Sequence, residues 1–270
     1  MVDVDQSPAG TRAIAQEGYS FLFPLVANYG LMYAEAVDSS SPVFGGGFGR
    51  WTHRRHTVSQ ESDVSTRHAT TLDSSACLDV RAGPCMLSFP AGGCERTTMV
   101  TDLWGFVVDE VATQGSPPNP VVIAGEAWVG SVPHDDMCLV RAESSFVRCE
   151  TWALIPEADE PAIREIQTSC RLRPLSGRSG GPPTPPTPPI DWWPVDSGTL
   201  TSMGFWSAAT FAITLTMPSA DDREILDRLA EIGVAPDVRW DERDLPPEVL
   251  AAIGDGMDEA LTELMRAVSP

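Results

Sequence analysis

Residues 99–111 read MVTDLWGFVVDEV, and three similar runs follow: PVVIAGEAWVG at 120–130, MCLVRAE at 137–143 and SFVRCETWALI at 145–155. Each run is short, rich in β-branched and aromatic side chains, and separated from the next by Gly, Pro or Asp clusters. No helical spacer lies between them, so the strands they imply pair antiparallel, as a sandwich or barrel. The β-pattern extends from Trp51 to about Trp152. Upstream, Thr11 to Val37 reads as a helix, with Ala13, Ile14, Gly18, Leu22, Leu25 and Val26 near helical spacing and Pro24 expected to kink or restart it. Ser39–Gly49 reads as loop; its three consecutive glycines lack the G-K-[ST] of a phosphate loop. Pro161–Cys170 reads as a short helix.

The stretch RLRPLSGRSGGPPTPPTPPIDWWP reads as an extended linker whose Trp192 and Trp193 pin its end onto the body. Beyond it the chain is helical. Gly204–Met217 is apolar, Ser219 caps a helix that stops at Gly233, and Pro246 or Pro247 starts the last helix. The expected organisation is a mainly β fold with an N-terminal helix and a C-terminal helical appendage. Its parts are a β-rich domain over 1–176, a linker over 177–198, and a helical tail over 199–270 packing on the β-domain.

The formal net charge is −20, and all 18 basic residues are arginine. Such a surface repels nucleic acid and anionic lipid, so neither is expected as a partner. The bias toward Arg and Ala fits a high-GC bacterial coding style. No run reaches the roughly 18 apolar residues of a membrane span. The start MVDVDQSPAG lacks the basic region of a signal peptide, so the cytoplasm is the expected compartment. The six cysteines form no C-x-x-C pair and have no histidine at metal-finger spacing; they read as free thiols, with no metal site.

Several segments in order resemble the bacterial family called domain of unknown function 1254: Arg67–Val80, then Pro90, Arg96, Asp102 and Trp104, then GEAWVGSVP at 125–133, then Asp159, Ile163, Gln167, Leu172, Pro174 and Leu175. The likeness runs over about 12–176. Further on, Phe205-Trp206, Asp221-Asp222, Leu229, Ile232-Gly233 and Trp240-Asp241 resemble the helical connector of longer relatives. In those a second β-domain, domain of unknown function 1214, follows; here it is expected to be absent. The chain departs from the family where Ala69, Thr70, Thr71 and Asp73 replace an Asn, Asp and Tyr pattern, and where Thr97 and Thr98 replace two tyrosines.

Candidate chemistry centres on WTHRRHTV. In a strand, His53 and Arg55 share one face and Arg54 and His56 the other. An adjacent Arg favours neutral histidine, suited to a general base. Asp102, beside Leu103, Trp104 and Phe106, reads either as an acid with a raised pKa or as a partner of Arg67 or Arg96. The expected catalytic set is therefore His53, His56, Asp102, Arg67 and Arg96. Trp51, Trp104, Trp128 and Tyr29 are expected to wall the substrate pocket, and Cys94 is the thiol nearest an activating arginine. There is no G-x-S-x-G elbow and no Rossmann or P-loop fingerprint, so no cofactor is expected. The function these residues imply is a cofactor-independent enzyme acting on a bulky apolar small molecule. The expected step is a cyclisation, isomerisation or hydration in bacterial natural-product biosynthesis. The alternative is a ligand-binding or accessory protein; a homo-oligomer fits either.

Overall fold

An unbroken apolar stripe organises the first helix. In α1 (Pro8–Ala36), Ala15, Tyr19, Leu22, Val26 and Tyr29 recur at helical spacing and are all buried. The helix runs through Pro24 without a break. Packing of the stripe on both sides of the proline outweighs the one hydrogen bond that its missing N–H removes. The computed structural model describes residues 7–57, 69–89, 96–113, 120–156, 165, 167–175 and 187–268. The chain divides into two units, Met1–Tyr33 with Asp191–Pro270, and Ala34–Ile190. Among the described residues, no helix is long and apolar enough to cross a membrane.

The first unit is helical. Its α2 (Gly204–Ile213) is apolar on nearly every side and sits at the centre, with Phe205 4.4 Å from the Tyr19 ring. Ser219 forms the expected capping box with Asp222, opening a short 3₁₀ turn that leads into α3 (Arg223–Glu231). Gly233, at φ 83°, ends α3 as predicted. The N–H of Gly233 donates to Ala230 O and that of Val234 to Leu229 O, a Schellman ending. The last helix, α4 (Pro247–Val268), starts on a proline. It lies against α1 through Arg12 Nε to Glu259 at 2.9 Å and Gln16 to Glu263 at 3.1 Å.

The second unit is a β-sandwich with nine strands among the described residues: β1 (Thr52–Thr57), β2 (Ala69–Asp79), β3 (Cys85–Ser88), β4 (Arg96–Asp102), β5 (Val107–Thr113), β6 (Val121–Gly125), β7 (Cys138–Ala142), β8 (Phe146–Pro156) and β9 (Arg171–Pro174). One sheet has the order β1-β2-β8-β4-β5 and the other β7-β6-β3-β9; pairing is antiparallel except between β6 and β7. Their inner faces share one core, with Leu78, Val100 and Cys149 from the first sheet against Leu87, Ile123 and Val140 from the second. Arg171–Pro174, which composition assigned to the linker, is instead an edge strand paired with β3. Its proline sits at the strand end, where no ladder donor is needed. The short helix expected over 161–170 lies largely outside the described residues, although Gln167–Ser169 are helical.

On the outer face of the five-stranded sheet, Arg148 binds Glu35 through two hydrogen bonds of 3.0 and 3.1 Å and also pairs with Glu150. Glu35 is 6% exposed, so this pair fixes the last turn of α1 to the sheet within the second unit. In the helical unit, a Cβ added at Gly256 would stand 2.3 Å from the backbone oxygen of Arg12. Gly256→Ala should therefore force α4 away from α1 and lower stability by roughly 1–3 kcal/mol, the usual cost of overpacking. Urea denaturation checks this; an unchanged midpoint would contradict the close approach.

Candidate functional site

The ladders of the five-stranded sheet place His53 opposite Ser74, Ser74 opposite Thr151, and Thr151 opposite Thr98. This polar row sits at one end of an otherwise apolar inner face. His53 Nδ1 lies 2.8 Å from Ser74 Oγ, and Thr98 Oγ1 lies 2.9 Å from Thr151 Oγ1. Burial pushes His53 below the usual imidazole range, which favours the neutral ring. That is the direction expected from the sequence, with desolvation by burial as its cause among the described residues. The Trp51 and His53 rings are near parallel at 6.4 Å, and Trp51 Nε1 is buried without a hydrogen-bond partner among the described residues.

Among the described side chains of the predicted catalytic set, Asp102 stands apart from His53. Asp102 accepts from the Phe106 N–H at 2.9 Å, with the Trp104 and Gly105 N–H groups also directed at it. It caps the turn from β4 to β5. Burial raises its carboxyl above the ordinary value, and those donors oppose the rise. From the β4 register, Asp102 lies four residues and three strand spacings from His53, about 13 Å along and roughly 14 Å across. Arg96 starts β4 and Asp102 ends it, about 20 Å apart. The expected Arg96–Asp102 pair is therefore not made: the two are neighbours in composition but opposite in the strand. Only the backbones of His56 and Arg96 are described; His56 pairs with Thr71. Arg67 and Cys94 lie outside the described residues.

The predicted pocket walls scatter as well. Trp128 covers the outer face of the four-stranded sheet, against Met86 and Val122, with Arg141 5.7 Å from its ring. Trp104 stands in the turn that Asp102 caps. Tyr29 is fully buried in the helical unit and donates to Trp193 O at 2.5 Å. The described thiols suit packing rather than nucleophilic attack: burial pushes Cys77 up to about 12 and Cys85 up to about 11. At the far end of the sandwich a cavity of about 310 Å³ touches Phe48, Leu78, Asp79 and Cys85, but Asp79 is already held by Arg81 at 2.6 Å. Among the described residues, no group of three His, Cys, Asp or Glu side chains could hold a metal ion.

A larger cavity, of about 580 Å³, lies in the helical unit. Trp192, Trp193, Phe211 and Trp240 wall it, and Asp191, Asp237 and Arg239 bring charge to it. Its parts are fixed from behind. Trp240 Nε1 donates to Ile232 O at 3.1 Å, the Trp240 carbonyl accepts from Ser207, and Tyr29 holds the Trp193 carbonyl. Asp237 stands at φ 60°, a conformation non-glycine residues rarely adopt and one that clusters at binding sites. Sequence reasoning took Trp192 and Trp193 as anchors for a linker. The signal that marks them as a site is the pairing of WW with the distant DVRW at 237–240, and only the fold brings these together.

Residues 48–174 match the family model described as Protein of unknown function (DUF1254). Residues 48–174 form a DUF1254 domain. The likeness read over 12–176 thus narrows at its N-terminal side, and α1 lies outside it. The crystal structure of the VPA0106 protein from Vibrio parahaemolyticus has a similar fold, with TM-score 0.69 at 20% identity, covering 95% of this chain and 59% of that one. The chain thus spans less than two thirds of the length of that protein. The chain matches no curated protein.

The His53 row lies inside the DUF1254 domain, whereas the aromatic cavity lies wholly beyond it, in 191–240. The row has a measurable consequence. Because folding lowers the His53 pKa, the unfolded chain binds more protons just below its ordinary value of 6.5. Its contribution is complete above that pH and is lost as pH falls through the window below it. The stability of the wild type relative to His53→Gln should therefore decline between about pH 7.5 and about pH 5. Urea midpoints at both pH values test this, and a pH-independent difference would show that His53 is not held neutral.

Proposed function

We propose that this protein binds a bulky, largely apolar small molecule in the aromatic cavity of its helical unit. The observation that carries the reading is the convergence there of four aromatic side chains and three charged ones around about 580 Å³, a volume typical of small-molecule sites. The separation of His53 from Asp102 supports binding over chemistry by the acid/base set expected from the sequence. A fluorescence titration with the neutral dye phenylnaphthylamine tests it. Trp193→Ala should weaken dye binding at least about tenfold, while Trp128→Ala leaves it unchanged, since aromatic contacts of this kind contribute on the order of 1 kcal/mol or more. Equal affinities for wild type and Trp193→Ala would end the proposal.

A second reading keeps cofactor-independent chemistry, a cyclisation, isomerisation or hydration of the natural-product type, at His53. It is favoured by one arrangement: an imidazole fixed at Nδ1 by Ser74 and shifted toward its neutral form by burial, beside a Trp51 indole N–H that has no partner among the described residues. That reading requires His53→Gln to abolish turnover of a substrate while leaving phenylnaphthylamine binding intact.

A further inference from the structure

The charges around the aromatic cavity narrow the ligand class; this step rests on the binding role proposed above. Four aromatic residues wall the cavity, and two acidic residues, Asp191 and Asp237, line the same space. One cation is already there: the Arg239 guanidinium carbon stands 5.7 Å from the centre of the Trp193 ring. Arg239 is itself exposed, and the Trp193 face is a contact it makes there. A cation over an aromatic face is favoured by the ring quadrupole, and Trp is the best such face. Ringed aromatics with flanking carboxylates are the usual recognition of ammonium groups. The net charge of −20 adds a long-range field that draws cations and repels anions.

We infer that the cavity takes an organic cation, an ammonium group carried on an apolar or aromatic body, and that Arg239 is the internal cation such a ligand displaces from Trp193. Arg239 then acts as a competitor rather than as a ligand-binding group. An anionic ligand would require the opposite: Arg239 as its partner and Asp191 and Asp237 as obstacles. The two assignments predict opposite effects of the same substitution.

The test is calorimetric titration of the full chain with benzyltrimethylammonium, benzyl alcohol and benzoate as matched cationic, neutral and anionic probes. The expected order is cation first, then alcohol, with benzoate weakest. Arg239→Ala should tighten the cation several-fold and leave benzyl alcohol unchanged. Asp191→Asn combined with Asp237→Asn should weaken the cation about tenfold, again with little effect on the alcohol. Asn tolerates the positive φ at 237, so the double variant preserves the turn. The inference is overturned if the cation binds no tighter than the alcohol, or if Arg239→Ala weakens it. Loss of the cation preference with Trp193-dependent phenylnaphthylamine binding retained would remove the ligand class alone. Failure of both probes would remove the site.

Discussion

The eleven-residue ladder between β2 and β8, from Ala69 opposite Pro156 to Asp79 opposite Phe146, is the constraint on which the DUF1254 domain depends. Strand side chains alternate with period two, so a shift of one residue would exchange the two faces. In the observed register Ala76, Leu78, Val147 and Cys149 enter the shared core, while Cys77 and Arg148 face outward to meet Glu35 and Glu150 pairs with Arg148 beside them. Each fully buried Leu or Val contributes about 1.5–3 kcal/mol, so a slip that exposed this set would cost an amount comparable with the whole stability of a domain, about 5–15 kcal/mol. The same register aligns Ser74 and Thr151 with His53 and Thr98, which gives the sandwich interior one polar end.

The outer face has its own logic. Removing one member of a buried ion pair leaves the other charge uncompensated, so Glu35 and Arg148 depend on each other. Cys77 Sγ, 3.6 Å from Glu35, is held among these charges with its thiol protonated. Nucleophilic chemistry at this cluster is therefore disfavoured by the burial that makes it stable. A similar economy holds for Asp102, whose carboxylate is committed to the N–H groups of its own turn.

Local signals were legible in the sequence. Short β-branched runs became strands, Ser219 became a cap, Gly233 a helix stop and Pro247 a helix start, because each depends on neighbours within a few residues. The edge strand at 171–174 was hidden, since Pro and Arg composition masks a pairing supplied by β3. The sites were hidden more deeply. Asp102 and Arg96 look adjacent in a list of polar residues, yet a strand is a ruler, and six residues of it separate them by about 20 Å. Glu35 meets Arg148 across 113 positions, and Trp193 meets Arg239 across a helical unit built from both ends of the chain. No periodicity encodes such meetings.

The cavity lies on irregular segments held by a rigid frame, the usual arrangement for recognition. Its aromatic side chains come from an extended segment, a helix and a turn whose conformation is strained at Asp237. The eight tryptophans offer a direct reading of where a ligand goes, because each indole N–H gives its own nitrogen-15 NMR resonance. Phenylnaphthylamine titrated into the labelled full chain should move the signals of Trp192, Trp193 and Trp240 and leave those of Trp51, Trp104 and Trp128 in place. Movement at Trp51 with none at Trp193 would contradict the account and relocate recognition to the polar end of the sandwich.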